Sequence, residues 1–171
     1  NLIFGNQASV LVGDFLFSRA FQLMVKDGSL DVLRVLSDAS AVISEGEVMQ
    51  MSTANNLETT LDDYEQVIKA KTAALFAAAC EIGPIIAGAD DKDAALMQEF
   101  GMNLGIAFQI ADDVLDYSAS QSKLGKKLGD DFREGKMTAP VILALQDAGT
   151  EEHEFWDRTI RMKKQTEHDL Q

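Results

Sequence analysis

Long uninterrupted stretches rich in Ala, Leu, Met, Glu and Lys, with two prolines in 171 residues to break them, leave little room for anything but helices. These side chains lose little rotamer freedom in a helix, whereas strands favour β-branched and aromatic residues. The chain therefore reads as all-α. With 46% of its residues apolar it can bury a real core, so 1–171 is expected to form one helical domain or most of a larger one.

Periodicity and punctuation predict helices over about 6–26, 30–51, 61–82, 91–117 and 131–147, and a polar one from about 151. Ser29 after Asp27-Gly28 is a cap for the second helix, Thr60 followed by Asp63 is a capping-box-like start for the third, and Asp90 followed by Asp93 does the same for the fourth. These caps assign ordinary work to Asp62, Asp63, Asp90, Asp91 and Asp93, because a helix N-terminus attracts negative charge. They are set aside as metal ligands.

A formal net charge of −13 argues against broad phosphate-backbone binding, which relies on excess Lys and Arg, so nucleic acid is excluded as a partner. Cys80, with no second cysteine to pair with, reads as a reduced and buried thiol. No apolar run is read as approaching the roughly 18 residues of a membrane span, and the first residues lack a signal-peptide pattern. A soluble, cytoplasmic protein is expected.

A second kind of acidic cluster lies in Gly105-Ile106-Ala107-Phe108-Gln109-Ile110-Ala111-Asp112-Asp113-Val114-Leu115-Asp116-Tyr117. Gln109, Asp112, Asp113 and Asp116 fall at i, i+3, i+4 and i+7, on one helix face, so the carboxylates are expected to converge. They do so near a helix C-terminus, where the macrodipole disfavours negative charge. Neighbouring Ile106, Phe108, Ile110, Val114 and Leu115 suggest burial, which makes uncompensated carboxylates costlier. A divalent cation with oxygen ligands is the natural remedy, and Mg²⁺ bound by carboxylates plus a phosphate is a recurring arrangement. The bland alternative is a solvated acidic face.

Two further features point to an anion. The stripe Leu61, Tyr64, Ile68, Lys71, Leu75, Ala78 and Ile82 has helical spacing and puts a lysine amid an inward face, with the Thr72 hydroxyl beside it; a lysine snorkelling to the surface is the alternative. Leu124 through Lys136 is a glycine-punctuated basic segment suited to lie over a phosphate, although alone such a segment is usually a solvated connection. It lacks the Walker A spacing, which excludes a P-loop NTPase. His153 and His168 lie in polar sequence and are expected to be exposed; no Ser-His or Cys-His constellation is visible. Asp14, in an apolar run, is expected to make a buried structural hydrogen bond.

Taken together these residues resemble the trans-type polyprenyl diphosphate synthases, especially the bacterial long-chain enzymes (octaprenyl- and decaprenyl-like) of quinone side-chain synthesis. The resemblance covers nearly the whole chain: Gly5 to Leu16 resembles the helix after the family's first aspartate-rich motif, Gly46-Glu47-Val48-Met49-Gln50 its next helical segment, Lys71-Thr72 its Lys-Thr pair, Phe108 to Asp116 its second aspartate-rich motif, and Lys126 to Pro140 the segment that closes its site. It implies an isoprenoid-synthase-type helical bundle around a central cavity. It also implies Mg²⁺ held by Asp112, Asp113 and Asp116, diphosphate contacts from Lys71, Lys126 and Lys136, and Thr72 and Gln109 lining the reacting end beside Lys71 and Asp112. Small residues such as Ala74, Ala78, Ala107 and Ala111 would leave room for an apolar chain.

The implied reaction is transfer of an allylic diphosphate's prenyl group to isopentenyl diphosphate, by a prenyltransferase that is usually a homodimer. The family's first aspartate-rich motif is expected upstream of Asn1, and its last helices beyond Gln171, so the segment alone is expected to be inactive. Two rival readings stay open: another class I isoprenoid enzyme such as a terpene cyclase, and a non-catalytic partner subunit of a heteromeric synthase.

Overall fold

A computed structural model describes residues 5–118 and 129–170 and contains only helices and their connections among them. In chain order these are α1 (Gly5–Asp27), α2 (Leu30–Thr53), α3 (Leu61–Ile68), a π turn (Lys69–Ala73), α4 (Ala74–Ala87), α5 (Asp91–Ser118), α6 (Asp130–Glu134), α7 (Ala139–Gln146) and α8 (Thr150–Trp156). A second π turn (Asp157–Arg161) and a 3₁₀ turn (Glu167–Leu170) follow. The expected caps are present: the Val32 N–H donates to Ser29 Oγ, the Asp93 N–H to Asp90 Oδ1, and Thr60 and Asp63 satisfy each other's N–H groups in a capping box.

Two boundaries differ from the sequence reading. The segment expected as one helix over 131–147 is cut by Gly135, whose φ of +68° ends α6, and resumes only at Ala139 after extended Thr138. The helix expected to end near 82 runs through Pro84 to Ala87, and it is interrupted at its middle. There the Ala74 N–H reaches the Lys69 carbonyl five residues back, so one extra residue enters the turn and everything after it rotates by about 100°. Tyr64, Val67 and Ile68 are buried before the turn, Ala73 at its last residue, and Ala74, Ala77 and Ala78 after it. Leu75, which an unbroken stripe would bury, is 51% exposed.

Three helices meet closely because glycine lets backbones touch. A Cβ on Gly46 of α2 would lie 2.6 Å from the Lys71 nitrogen. On α5, one at Gly101 would lie 2.5 Å from the Phe76 carbonyl oxygen and one at Gly105 2.5 Å from the Ala73 Cα. α4 thus lies against α5 along its length, with α2 across it; Val35, Ala39 and Ala78 form the core there. A second core joins Tyr64, Ile68, Phe132, Met137, Val141, Ile142, Leu145 and Ile160, drawing α6 to α8 against α3.

Among the described residues, only one face of α5 is covered. Phe108, Ile110, Val114 and Leu115, expected in the interior, are exposed, as are Ala107 and Ala111; helical periodicity gives an apolar composition here without a neighbour to cover it. On α1, Asp14 is exposed rather than buried, and Val10, Leu11, Phe15 and Leu16 are all at least 60% exposed, with only Met24 buried. Cys80 is half-buried and free. By length and composition alone, Gly5–Asp27 and Leu61–Ala87 could each cross a membrane, contrary to the expectation that no run comes close. The second carries Lys71 and is clamped between α2 and α5, and the first carries Asp14 and Arg19 in its middle.

Candidate active site

The first π turn, α2, α3, α5 and the segment from α6 to α7 enclose a cavity of about 250 Å³. Its lining brings together Lys71, Thr72, Gln109, Asp112, Asp113 and Lys136, six residues singled out in the sequence. Lys126 lies outside the described residues. Asp116 sits one helical turn beyond Asp112 and contacts the cavity's far wall through Asp131, whose N–H donates to Asp116 Oδ2 at 3.1 Å.

Lys71 projects from the π turn and donates to Gln50 Oε1 at 2.8 Å and Glu47 Oε1 at 3.2 Å. Its side chain is 32% exposed, so it neither snorkels freely nor lies buried. Opposite it, Lys136 meets Asp131 Oδ1 at 2.9 Å and Glu134 Oε2 at 2.8 Å. Burial alone would push the Lys136 ammonium down, but the hydrogen bonds it donates to Glu134 and Asp131 outweigh it and hold its pKa above the usual lysine value.

The acidic residues divide where the sequence treats them alike. Asp113 is 4% exposed and turned inward: Tyr64 donates to its Oδ2 at 2.6 Å and Gln109 to its Oδ1 at 2.8 Å. Burial pushes its pKa above the ordinary carboxylate range, Asp131 and Asp112 push the same way, and the two hydrogen bonds hold it back. Asp116 is also raised, by burial first, against the backbone N–H of Asp131. Asp112 is exposed, faces the cavity and has neither hydrogen bond nor ion pair among the described residues. The one-face spacing is thus present, yet the three carboxylates do not converge as a set: neighbours on α3 and α6 pull Asp113 and Asp116 apart. Among the described residues no three acidic, thiol or imidazole side chains stand together as a ready metal cage.

Cavity residues missed in the sequence are Gln50, Tyr64, Asp131 and Thr138 as polar wall members. Tyr64 carried a signal, seven residues before Lys71 on the same stripe. Thr138 carried a signal only as part of the Lys126 to Pro140 segment. Its hydroxyl and that of Tyr117 are buried beside each other, and among the described residues neither has a partner at full hydrogen-bond geometry. Thr138 precedes Ala139-Pro140 at the start of α7, but its hydroxyl makes no capping bond. An unpaired buried hydroxyl in a cavity wall is an unmet demand for a polar ligand or water.

The charge balance makes a similar demand. Carboxylates of Asp112, Asp113 and Asp131 line the cavity against the ammonium groups of Lys71 and Lys136, each already paired with an acid. An anionic ligand entering here would need further positive charge.

An all-helical bundle with lysines facing aspartates across a polar cavity defines a class of protein built to handle anions together with cations. The model of the polyprenyl synthetase family matches residues 1–171, and the chain belongs to that family. It is 48% identical over 159 residues to octaprenyl diphosphate synthase of Escherichia coli (strain K12), covering 93% of this chain and 49% of that protein. Among solved structures it is similar to a polyprenyl synthase from Caulobacter crescentus CB15 complexed with calcium and isoprenyl diphosphate, with a TM-score of 0.96 at 51% identity over 99% of this chain and 52% of that one. A decaprenyl diphosphate synthase from Rhodobacter capsulatus gives a TM-score of 0.90 at 52% identity, over 99% of this chain and 52% of that one. The chain spans about half the length of the curated relatives it matches.

Proposed function

We propose that the protein carrying this chain is a Mg²⁺-dependent prenyltransferase that condenses isopentenyl diphosphate with an allylic diphosphate to make a polyprenyl diphosphate for a quinone side chain. The observation that carries this is the cavity itself, where Lys71 and Lys136 face Asp112 around the Thr72–Gln109 pair. In this reading Lys71 and Lys136 draw the departing diphosphate oxygens by charge-assisted hydrogen bonds, and Lys126 does so from its own segment. Electrostatic stabilisation of a leaving diphosphate needs no protein nucleophile, in keeping with His153 and His168 both being exposed.

The residues present fit Mg²⁺ in one respect. That ion is usually bound through one or two carboxylates plus substrate phosphates, keeping several waters, so a full protein cage is not required. Asp112 would hold it first, with Asp116 through its second oxygen, while Asp113 supports them from within. When bound, the ion would supply positive charge that offsets the negative charge developing on the departing diphosphate. The relative solved with calcium and isoprenyl diphosphate supports the pairing of a divalent cation with such a ligand. Homodimerisation and a cytoplasmic location belong to the same proposal.

Thermal unfolding of the intact protein tests it, because a ligand bound only by the folded state raises the transition temperature. Mg²⁺ together with an allylic diphosphate is expected to raise it, and Asp112→Ala to abolish the rise without unfolding the protein. A variant that responds like the parent would remove Asp112 from the site. Elongation of an allylic primer by isopentenyl diphosphate tests the reaction, and its absence would favour the partner-subunit reading.

A further inference from the structure

Four side chains from three elements form one continuous hydrogen-bonded chain. Tyr64 Oη on α3 donates to Asp113 Oδ2 at 2.6 Å, Gln109 Nε2 donates to Asp113 Oδ1 at 2.8 Å, and the Thr72 hydroxyl donates to Gln109 Oε1 at 2.8 Å. Tyr64 and Asp113 are 6% and 4% exposed, whereas Thr72 and Gln109 are half-buried at the cavity. The chain therefore runs along the cavity wall from its buried part to its more open part.

Each link constrains the next. Asp113 accepts from both neighbours, the Tyr64 hydroxyl at Oδ2 and the Gln109 amide nitrogen at Oδ1. A side-chain amide that gives its NH₂ to Asp113 must turn its carbonyl oxygen away, and Thr72 is the group that oxygen meets. A hydroxyl has one proton, and Thr72 gives it to that carbonyl. What Thr72 then offers the cavity is lone-pair density, never a proton. The same atoms with Gln109 flipped would put NH₂ against the threonine and free its proton to point inward.

The phenol at the far end of the chain is buried in the cavity wall, and its one proton is committed to Asp113. Without that donor Asp113 would be a buried carboxylate with one hydrogen bond, which is costly. It would turn toward solvent beside Asp112 or change what it offers Gln109, and either outcome releases the amide to rotate. We propose that Tyr64 is a positioning residue: it anchors Asp113 so that Gln109 is held in one orientation and Thr72 presents only its oxygen to the reacting end of the cavity. This rests on the prenyltransferase reading for the identity of the reacting group, but the chain's direction does not.

The experiment uses the intact protein with isopentenyl diphosphate and an allylic primer. Tyr64→Phe removes only the hydroxyl, and loss of one positioning hydrogen bond is expected to lower the single-turnover rate about tenfold while leaving KM for both diphosphates unchanged. In a Thr72→Val background the same substitution should change the rate no further, since nothing remains for it to position. Effects that multiply, or a Tyr64→Phe rate equal to the parent's, would overturn the proposal. Side-chain amide exchange by NMR gives a second reading on the parent protein alone: the Gln109 NH₂ protons should exchange far more slowly than those of exposed Gln98 and speed up in Tyr64→Phe. Equal rates for Gln109 and Gln98 in the parent would overturn the proposal even if Tyr64→Phe failed to fold. A parent that elongates no primer would count against the proposed function, and amide exchange would then decide the chain's direction.

Discussion

Helices α1 and α5 are both long and both rich in apolar residues, yet they stand in opposite situations. α5 is held against α4 by glycines at positions 101 and 105 that bring backbone to within contact, and its polar side chains are tied across the cavity to α3 and the first π turn. α1 touches α2 lightly and leaves Val10, Leu11, Phe15 and Leu16 uncovered. Apolar content makes a helix in either case; what decides attachment is whether small residues permit close approach and whether side chains have partners on the far side.

The sharpest way to break that contrast is to remove the close approach. Gly105→Leu would drive a side chain into the Ala73 backbone, and overpacking against backbone is expected to cost about 3 kcal/mol or more in denaturant unfolding. An unchanged midpoint would mean that α4 and α5 can separate freely. Next in size, Lys71→Met keeps much of the apolar stem and removes the ammonium. It should weaken diphosphate binding by roughly 1.5 to 3 kcal/mol, read by calorimetry, with near-normal folding. Normal binding would show that Glu47 and Gln50 occupy this lysine fully.

Residues 165–170 offer an intermediate case, tied back by the Arg158–Asp169 ion pair and by Gln165, whose amide donates to the Phe132 and Thr159 carbonyls. Asp169 accepts both guanidinium nitrogens of Arg158, at 2.7 and 3.1 Å, and these bonds hold its carboxyl well below the usual range. A depressed folded-state value means that the stabilisation is complete above the unfolded carboxylate value, about 3.9, and is lost as pH falls through the lower folded one. Hydrogen exchange of residues 165–170 should therefore rise in acid before the core opens, and Asp169→Asn should show that faster exchange already at neutral pH. The smallest effect belongs to α1. Leu11→Ser is expected to shift unfolding by no more than about 0.5 kcal/mol when the protein is dilute. A loss that grows with protein concentration would instead put α1 in a contact between copies.

Much of this was legible in the sequence because it is local. Ser29, Thr60 and Asp90 announce helix starts through chemistry that needs only the next three residues. Lys71, Thr72, Gln109 and Asp112 could be gathered to one site because spacing assigns them to a face. What the face does not reveal is direction within it. Asp112 and Asp113 are adjacent on the same helix, and the partners that hold one inward while the other stays open include Tyr64, 49 residues from Asp113. Gly135 was visible, but its left-handed backbone was not, so one helix was expected where there are two. The π turn left no mark in the sequence, since nothing in Lys-Ala-Lys-Thr-Ala interrupts a helical pattern, and the α2 and α5 backbones lie close against it at Gly46 and Gly105.

That widened turn has a consequence for how the chain can change. It holds one residue more than a regular helix requires, so losing Ala70 would restore an unbroken hydrogen-bond ladder from Leu61 to Ala87. The shortened helix would be locally more regular, and the lysine and threonine would face elsewhere. A single-codon deletion is thus a route by which this lineage could keep a helix and forfeit a site, and the surplus residue persists only where the site is worth its awkwardness.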